Sequence, residues 1–303
     1  MAQEYHFGFA AFVGRSNVGK STLMNALVGE KVAIVSERPQ TTRNIIRGVL
    51  NAPDGQVVFV DTPGLHVPRN RLSEYMVHAA HSAISGVDVL LAVFDVSAPM
   101  GAGDRAMMDL LAQEELPVIA LLNKIDKIHD KTELLQRMQE LQSYKCIQEI
   151  VPVSALRREG LDELLRTIIR FLPQGEAMFS QELYTDQSER FLVSEFIREK
   201  ALRELREEIP HGIGVEILQM EEDEDERLVI SANILCEKAT HKGMIIGKQG
   251  SRLKRIGTQA RRDIAHMMGI PVYLQLWVKV KPNWRDNLAV MRDLGYDQRH
   301  LDS

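Results

Sequence analysis

The strongest chemical signal is the run Gly14-Arg15-Ser16-Asn17-Val18-Gly19-Lys20-Ser21, which fits the pattern G-x-x-x-x-G-K-[ST]. A loop that wraps its backbone N–H groups around phosphate oxygens needs glycines at both ends, for unusual dihedrals and close approach. Lys20 would neutralise the outer phosphates, the Ser21 hydroxyl would coordinate magnesium, and Thr22 begins the helix that follows. The plainer alternative is a glycine-rich turn between a strand and a helix, with an exposed lysine.

Three later loops strengthen the first. Asp61-Thr62-Pro63-Gly64 follows the apolar run Val57 to Val60. Asp61 could hold a magnesium-bound water, and the Gly64 N–H could bond a terminal phosphate, so this position would report whether that phosphate is present. Asn123-Lys124-Ile125-Asp126 follows Val118 to Leu122. A carboxylate at Asp126 can accept both the guanine N1–H and the exocyclic amino group, a pair that adenine does not offer. Ser154-Ala155-Leu156 follows the run Ile150 to Val153, where backbone N–H groups can meet a guanine carbonyl.

Stepping from these loops to what must hold them, short apolar runs at Phe9 to Val13, Val57 to Val60, Val89 to Phe94, Val118 to Leu122 and Ile150 to Val153 alternate with helical patterns. That alternation predicts an α/β domain with a mostly parallel sheet covered by helices on both faces. Ligands in such sheets collect beyond the carboxyl ends of the strands, where all four loops fall. The domain is read as residues 1–174, followed by a linker at 175–188 that lacks periodicity, and a second, α+β domain at 189–303.

The second domain begins with a helix from Glu189 to about Glu208. Strands are expected near Gly214 to Met220 and Arg227 to Leu235, a glycine-punctuated helical stretch from Gly243 to Met268, and a last strand from Val272 to Val280. Six adjacent acids, Glu221 to Glu226, repel one another and predict an exposed hairpin loop. Gly247-Lys248-Gln249-Gly250 forms G-x-x-G, and from Lys238 to Arg262 there are eight Lys or Arg residues and no Asp or Glu. Glycines that admit a phosphate backbone, with Lys248, Arg252, Lys254 and Arg255 around them, read as an RNA-binding surface in which Gln249 lies at the loop tip. A solvated helix face is the alternative. Trp284 is expected to pack rather than stack on a base.

The four loops, in this order, resemble the guanine-nucleotide-binding fold of the small GTPases. The helix-strand-strand-helix-helix-strand order with G-x-x-G resembles a type II KH domain. The pairing of the two resembles the Era family of GTPases, with Gln40-Thr41-Thr42-Arg43, Asp61 to Leu65, Tyr184-Thr185-Asp186, Glu189-Arg190-Phe191 and Asn283 to Asn287 all looking like segments of that family. The resemblance implies GTP hydrolysis and a magnesium-ligating threonine before Asp61, for which Thr42 is favoured over Thr41. It also implies binding near the 3′ end of small-subunit ribosomal RNA during assembly of the small subunit, no DNA, and peripheral contact with the inner membrane. Asn17, together with the apolar Leu65 after Gly64, resembles a potassium-activated group in which K+ would supply charge near the phosphates. Where many GTPases place a glutamine to orient the attacking water, Leu65 has no hydrogen-bonding group, so unaided hydrolysis should be slow. Ser16 stands where the family usually carries proline.

Composition sets the outer bounds. The chain has 303 residues with 37 Lys plus Arg against 42 Asp plus Glu, a net charge of −5, so any basic surface must be local. Two isolated cysteines, Cys146 and Cys236, point to neither a disulfide framework nor a structural zinc site, and fit a reducing cytoplasm. No signal peptide or membrane span is read. Two rival functions are a small-molecule kinase with an RNA-binding appendage, against which Asn123 to Asp126 argues, and an RNA-binding scaffold that holds GTP without turning it over.

Overall fold

The structure is a computed structural model and describes residues 4–64, 67–205 and 209–301. Leu65 and His66 lie outside the described residues.

The first domain contains β1 (His6–Val13), α1 (Lys20–Val28), β2 (Ile46–Ala52), β3 (Gly55–Asp61), α2 (Arg71–Ser82) and β4 (Val89–Asp95). It continues with α3 (Ala102–Leu111), β5 (Val118–Asn123), α4 (Lys131–Gln142), β6 (Ile147–Val153) and α5 (Leu161–Phe171). Its sheet runs β2-β3-β1-β4-β5-β6, parallel throughout except that β2 is antiparallel to β3. Alternate residues of the buried strands feed two cores. Phe12, Phe59, Leu91, Val93 and Leu121 pack under α1 and α5, while Val13, Val60, Leu90, Ala92 and Leu122 pack with Met107, Met108 and Leu111 of α3. The apolar runs pointed to five of the six strands. They missed β2, an edge strand of mixed composition whose formation depends on β3 alone.

The second domain is α6 (Glu189–Glu204), β7 (Gly214–Glu222), β8 (Leu228–Cys236), α7 (Ala239–Ile246), α8 (Ser251–Met268), β9 (Val272–Val280) and a final α9 (Leu288–Asp293). β8 lies between antiparallel β7 and parallel β9. Two expectations are corrected. α6 ends at Glu204, with Leu205 already extended, rather than near Glu208. The glycine-punctuated stretch is the expected pair of helices, beginning at Ala239 and broken where Gly247 and Gly250 take φ of 74° and 77°. Of the acidic run, Glu221 and Glu222 belong to β7; the turn is closed by the Asp223 carboxylate, which accepts from the Asp225 and Arg227 amides. Trp284 packs as expected, fully buried, with Nε1 donating to the Gly212 carbonyl at 2.8 Å.

The linker is pinned to the first domain. The Val49 amide donates to Tyr184 O, Thr185 Oγ1 to Arg47 O, and Asn51 Nδ2 to Gln181 O, so the segment covers the edge that β2 would otherwise expose. Gln56, fully buried, accepts from the Met178 and Phe179 amides and donates to Phe179 O and Asn51 Oδ1 at 2.7–2.9 Å.

The domains meet through the loop 29–45 and through α2. Ile34 enters the core of the second domain among Val193, Phe196 and Ile197. Lys31 Nζ pairs with Glu199 of α6 and Asp263 of α8, at 2.6 and 2.5 Å. Leu72, Tyr75 and Met76 of α2 pack with Trp284, Val290, Met291 and Tyr296.

Replacing Gln56 with Ala should destabilise the protein by about 2–3 kcal/mol, because the buried amides and carbonyl of the linker lose their partner. Chemical denaturation measures this. A loss within about 0.5 kcal/mol would mean that other contacts hold the linker.

Candidate functional site

The loop between β1 and α1 turns back on itself at the carboxyl edge of the sheet. Gly19 takes φ 105° at the N-cap of α1, and Asn17 takes φ 67°. Lys20 is buried and its Nζ donates to the Gly14 and Arg15 carbonyls at 3.0 and 3.1 Å. The Arg15 side chain leaves the loop and pairs with Asp104 of α3 at 2.7 Å, so only its backbone faces the loop interior. Val18 is a core residue whose carbonyl accepts from Asn123 Nδ2 at 2.8 Å.

Three oxygens converge beside Lys20. Ser21 Oγ lies 2.5 Å from Asp61 Oδ2 and 3.0 Å from Thr42 Oγ1, which is itself 3.3 Å from Asp61 Oδ2. The other oxygen, Asp61 Oδ1, is buried with no hydrogen-bond partner. Burial pushes the Lys20 ammonium below its ordinary pKa and the Asp61 carboxyl above its own, with each charge opposing the shift of the other. A ligand that brings anionic phosphate to Lys20 and a cation to Asp61 reverses both shifts. The donor set, two hydroxyls and one carboxylate, suits a hard cation such as Mg2+. Among the described residues no cluster of three or more His, Cys, Asp or Glu could hold a metal, so such a cation would draw its remaining ligands from phosphate and water. The structure also separates the two threonines: Thr42 faces Ser21 and Asp61, whereas Thr41 Oγ1 donates to the Arg38 carbonyl at 2.6 Å.

Thr62 Oγ1 donates back to Phe12 O at 2.9 Å, away from the cleft, and Pro63 leads directly to Gly64. A β-carbon on Gly64 would lie 2.8 Å from the Ser16 nitrogen, so glycine is required for these loops to touch. Leu65, the next residue, lies outside the described residues. The loops expected to read the base are joined to the 14–21 loop by Asn123, which donates to Val18 O and whose Oδ1 accepts from the Ala155 amide at 3.1 Å. Ser154 Oγ donates to Asp126 Oδ1 at 2.5 Å, and Lys124, at φ 70°, reaches Asn17 O and Asp95. The Leu156 side chain is exposed. Asn17 Nδ2 donates to Glu37 O at 2.8 Å, across the cleft mouth.

The cleft has a volume of about 740 Å³. Its walls include Gly19, Lys20, Ser21, Thr22 and Lys124, and also residues that no motif marked: Val35, Ser36 and Arg38 of the loop, and Leu202 and Arg203 of α6. Nothing local identifies the last two, since only the docking of the domains brings them there.

A second cavity, about 500 Å³, lies between α8 and β9. Gly250 and Lys254 line it with Gly257, Arg261, Tyr273 and Leu276. Lys248 and Gln249 are exposed at the tip of the turn beside it, after Gly247. The other cations are engaged: Arg255 pairs with Glu204 of α6 at 2.9 Å, and the Arg252 guanidinium donates to Met244 O at the end of α7. Tyr273 and Arg261 escaped notice because neither adjoins the glycine turn; Gly257, a glycine inside a helix and 3.4 Å by its missing β-carbon from Leu276, was the available signal.

Residues 9–124 match the family described as 50S ribosome-binding GTPase, and residues 208–285 match the KH domain family. The chain is 47% identical over 293 residues to GTPase Era of Clostridioides difficile, covering 96% of this chain and 99% of that protein. It is 45% identical over 289 residues to GTPase Era of Clostridium kluyveri, covering 95% and 98%. Among solved structures it superposes on Era in complex with MgGDPNP and nucleotides 1506–1542 of 16S ribosomal RNA, with TM-score 0.93 and 40% identity over 96% of this chain and 99% of the other. An Aquifex aeolicus Era variant bound to GDP.AlF4- superposes equally well, with TM-score 0.93 and 40% identity over the same shares.

Asp126→Asn should move base preference from guanine toward xanthine, whose oxygen replaces the guanine amino group and suits an amide donor. Competition binding with the two diphosphates checks this. An unchanged preference would take Asp126 out of base selection.

Proposed function

The chain belongs to the Era family of GTPases, and on that premise we propose that it is a nucleotide-timed switch whose C-terminal domain grips small-subunit ribosomal RNA near its 3′ end and assists assembly of the small subunit. The protein hydrolyses GTP to GDP and phosphate. The observation that carries the residue-level reading is the convergence of Ser21, Thr42 and Asp61 beside Lys20, with Asp61 Oδ1 left without a partner. In this reading Lys20 neutralises the outer phosphates, Ser21 and Thr42 ligate magnesium, Asp61 holds a magnesium-bound water, and the Gly64 N–H answers the terminal phosphate. Magnesium held by Ser21 and Thr42 would supply positive charge that neutralises the charge developing on the phosphates. Backbone from 14–19 cradles the phosphates; Asp126 with Ser154, Ala155 and Leu156 selects guanine, and Asn123 locks the two halves of the pocket together.

Residues 1–174 form the nucleotide-binding domain and 189–303 the KH domain with its tail, the pinned linker at 175–188 joining them. RNA enters the cavity between α8 and β9, with Gly247 and Gly250 admitting its backbone and Lys248 and Lys254 meeting phosphates; DNA is not a partner. Asn17 places an amide near the phosphates and supports a potassium ion there. The protein works in the cytoplasm, with peripheral contact at the inner membrane.

Single-turnover hydrolysis with and without small ribosomal subunits tests the switch. Unaided turnover should stay below roughly 10⁻² s⁻¹, and subunits should accelerate it; a chain that binds GTP but never releases phosphate is a scaffold instead. Exchanging K+ for Na+ should slow the reaction in the parent and not in Asn17→Ala, and equal rates in both salts would remove Asn17 from the mechanism.

Replacing Lys248 and Gln249 with aspartates puts negative charge where the RNA backbone approaches, while both glycines keep their dihedrals. RNA affinity should fall by more than about tenfold and its salt dependence should flatten, with GTP binding preserved. Filter binding across a salt series measures both, and an unchanged affinity and slope would leave the KH assignment as a fold without its function.

A further inference from the structure

Thr42 is held from both sides by the other domain. Its own hydroxyl points at Ser21 and Asp61, while the carbonyl of the residue before it, Thr41, accepts from Arg198 Nη2 of α6 at 2.5 Å. The residue after it, Arg43, is buried and donates to the Ile213 and His211 carbonyls at 2.6 and 3.1 Å. Arg198 is 1% exposed, and Glu195 aims it, accepting from Nε and Nη2 at 2.7 and 2.5 Å.

We propose that Arg198, carried by the second domain, is a positioning residue for the metal-facing threonine of the first. A guanidinium buried at this depth is costly unless its donors are used, and among the described residues its bond to the first domain is to the Thr41 carbonyl, adjoining Thr42. Arg198 Nη1 has no partner. The guanidinium is therefore not an optimised structural plug; an apolar side chain would cover the same surface with less desolvation cost. What an apolar side chain cannot do is fix the Thr41–Thr42 peptide, and with it the direction of the Thr42 hydroxyl. The first domain alone supplies the Ser21 and Asp61 ends of the triad, and the third member takes its place when α6 is docked. The inference rests on the preceding reading that Thr42 serves a magnesium–GTP complex.

The test uses the full chain with Arg198→Gln and Arg198→Lys, with Val290→Ala as the control, since Val290 is buried where α2 meets the second domain, in a cluster that includes neither Arg198 nor Thr41. GTP hydrolysis is titrated with Mg2+, and GTP and GDP affinities and melting temperature are measured beside it. Arg198→Gln should lower kcat by about tenfold and raise the Mg2+ concentration for half-maximal rate several-fold. GDP affinity should stay within about twofold, because the loop answers the terminal phosphate that GDP lacks. Arg198→Lys, which keeps the charge and one donor, should fall between Arg198→Gln and the parent. Val290→Ala should lower the melting temperature and leave the Mg2+ midpoint alone.

Three results would overturn the proposal: parent-like kcat and Mg2+ midpoint in Arg198→Gln, equal loss of GTP and GDP affinity, or the same midpoint shift in Val290→Ala. The second and third would assign Arg198 to the interface alone. A parent protein that does not hydrolyse GTP overturns the preceding reading and this one together, which separates the two failures.

Discussion

Two buried guanidiniums shape this molecule. Taking a cation out of water costs several kcal/mol unless acceptors meet it; Arg43 finds its acceptors in two backbone carbonyls of the other domain, and Arg198 divides its bonds between Glu195 on its own helix and the Thr41 carbonyl across the boundary. Side-chain packing tolerates small shifts, but a guanidinium bonded to carbonyls fixes a peptide plane. The loop 29–45 is gripped at Lys31, Val35, Arg38, Thr41 and Arg43 by α6 and the segment after it, in addition to the bonds that Asn25 and Asn17 of the first domain make to it. The two arginines also repel one another, which together with burial pushes the Arg43 pKa below its usual value. The interface is thus rich in contacts and costly in its electrostatics.

This grip explains the unusual composition of α6. A surface helix normally shows one apolar stripe and one polar face. α6 buries Val193, Phe196 and Ile197 on its own domain's core and buries Glu195, Arg198, Glu199 and Lys200 as well. The charged face is enclosed because it meets loop 29–45 on one side and α8 on the other, where Lys200 pairs with Asp263 at 2.5 Å. Glu199 accepts from Lys31, Lys200, Arg203 and the Val35 amide, and this company of donors holds its carboxyl below the usual range against the upward pull of burial. One helix thereby touches the cleft beside Lys20 through Leu202 and Arg203 and braces the helix that lines the cavity between α8 and β9.

The motif loops were legible in the sequence because each is local. A glycine-rich turn, a strand ending in aspartate and an N-K-x-D run carry their geometry in adjacent residues, and a parallel sheet collects its strand ends at one edge whatever the intervening loops do. The same holds for the G-x-x-G turn, whose positive φ values follow from its glycines. Elements of weak pattern were not legible for the complementary reason. β2 exists because β3 pairs with it, and the linker is ordered because Gln56 and the β2 edge offer it partners.

By itself, then, the sequence determined the two folds, the phosphate and base loops, and the glycine turn, since these depend on residue type at fixed short spacing. Only the tertiary structure shows where the two adjacent threonine hydroxyls go, Thr42 to Ser21 and Asp61 and Thr41 to the Arg38 carbonyl. It turned Arg255 toward Glu204 and left Lys254 on the cavity, and it brought Arg203 to the nucleotide cleft across a separation in the chain that no spacing rule spans. The physical reason is common to all three cases. A side chain's chemistry is a property of its type, but its direction is set by whichever partner the fold brings within reach, here a carbonyl or a carboxylate, to satisfy the charge and polarity around it.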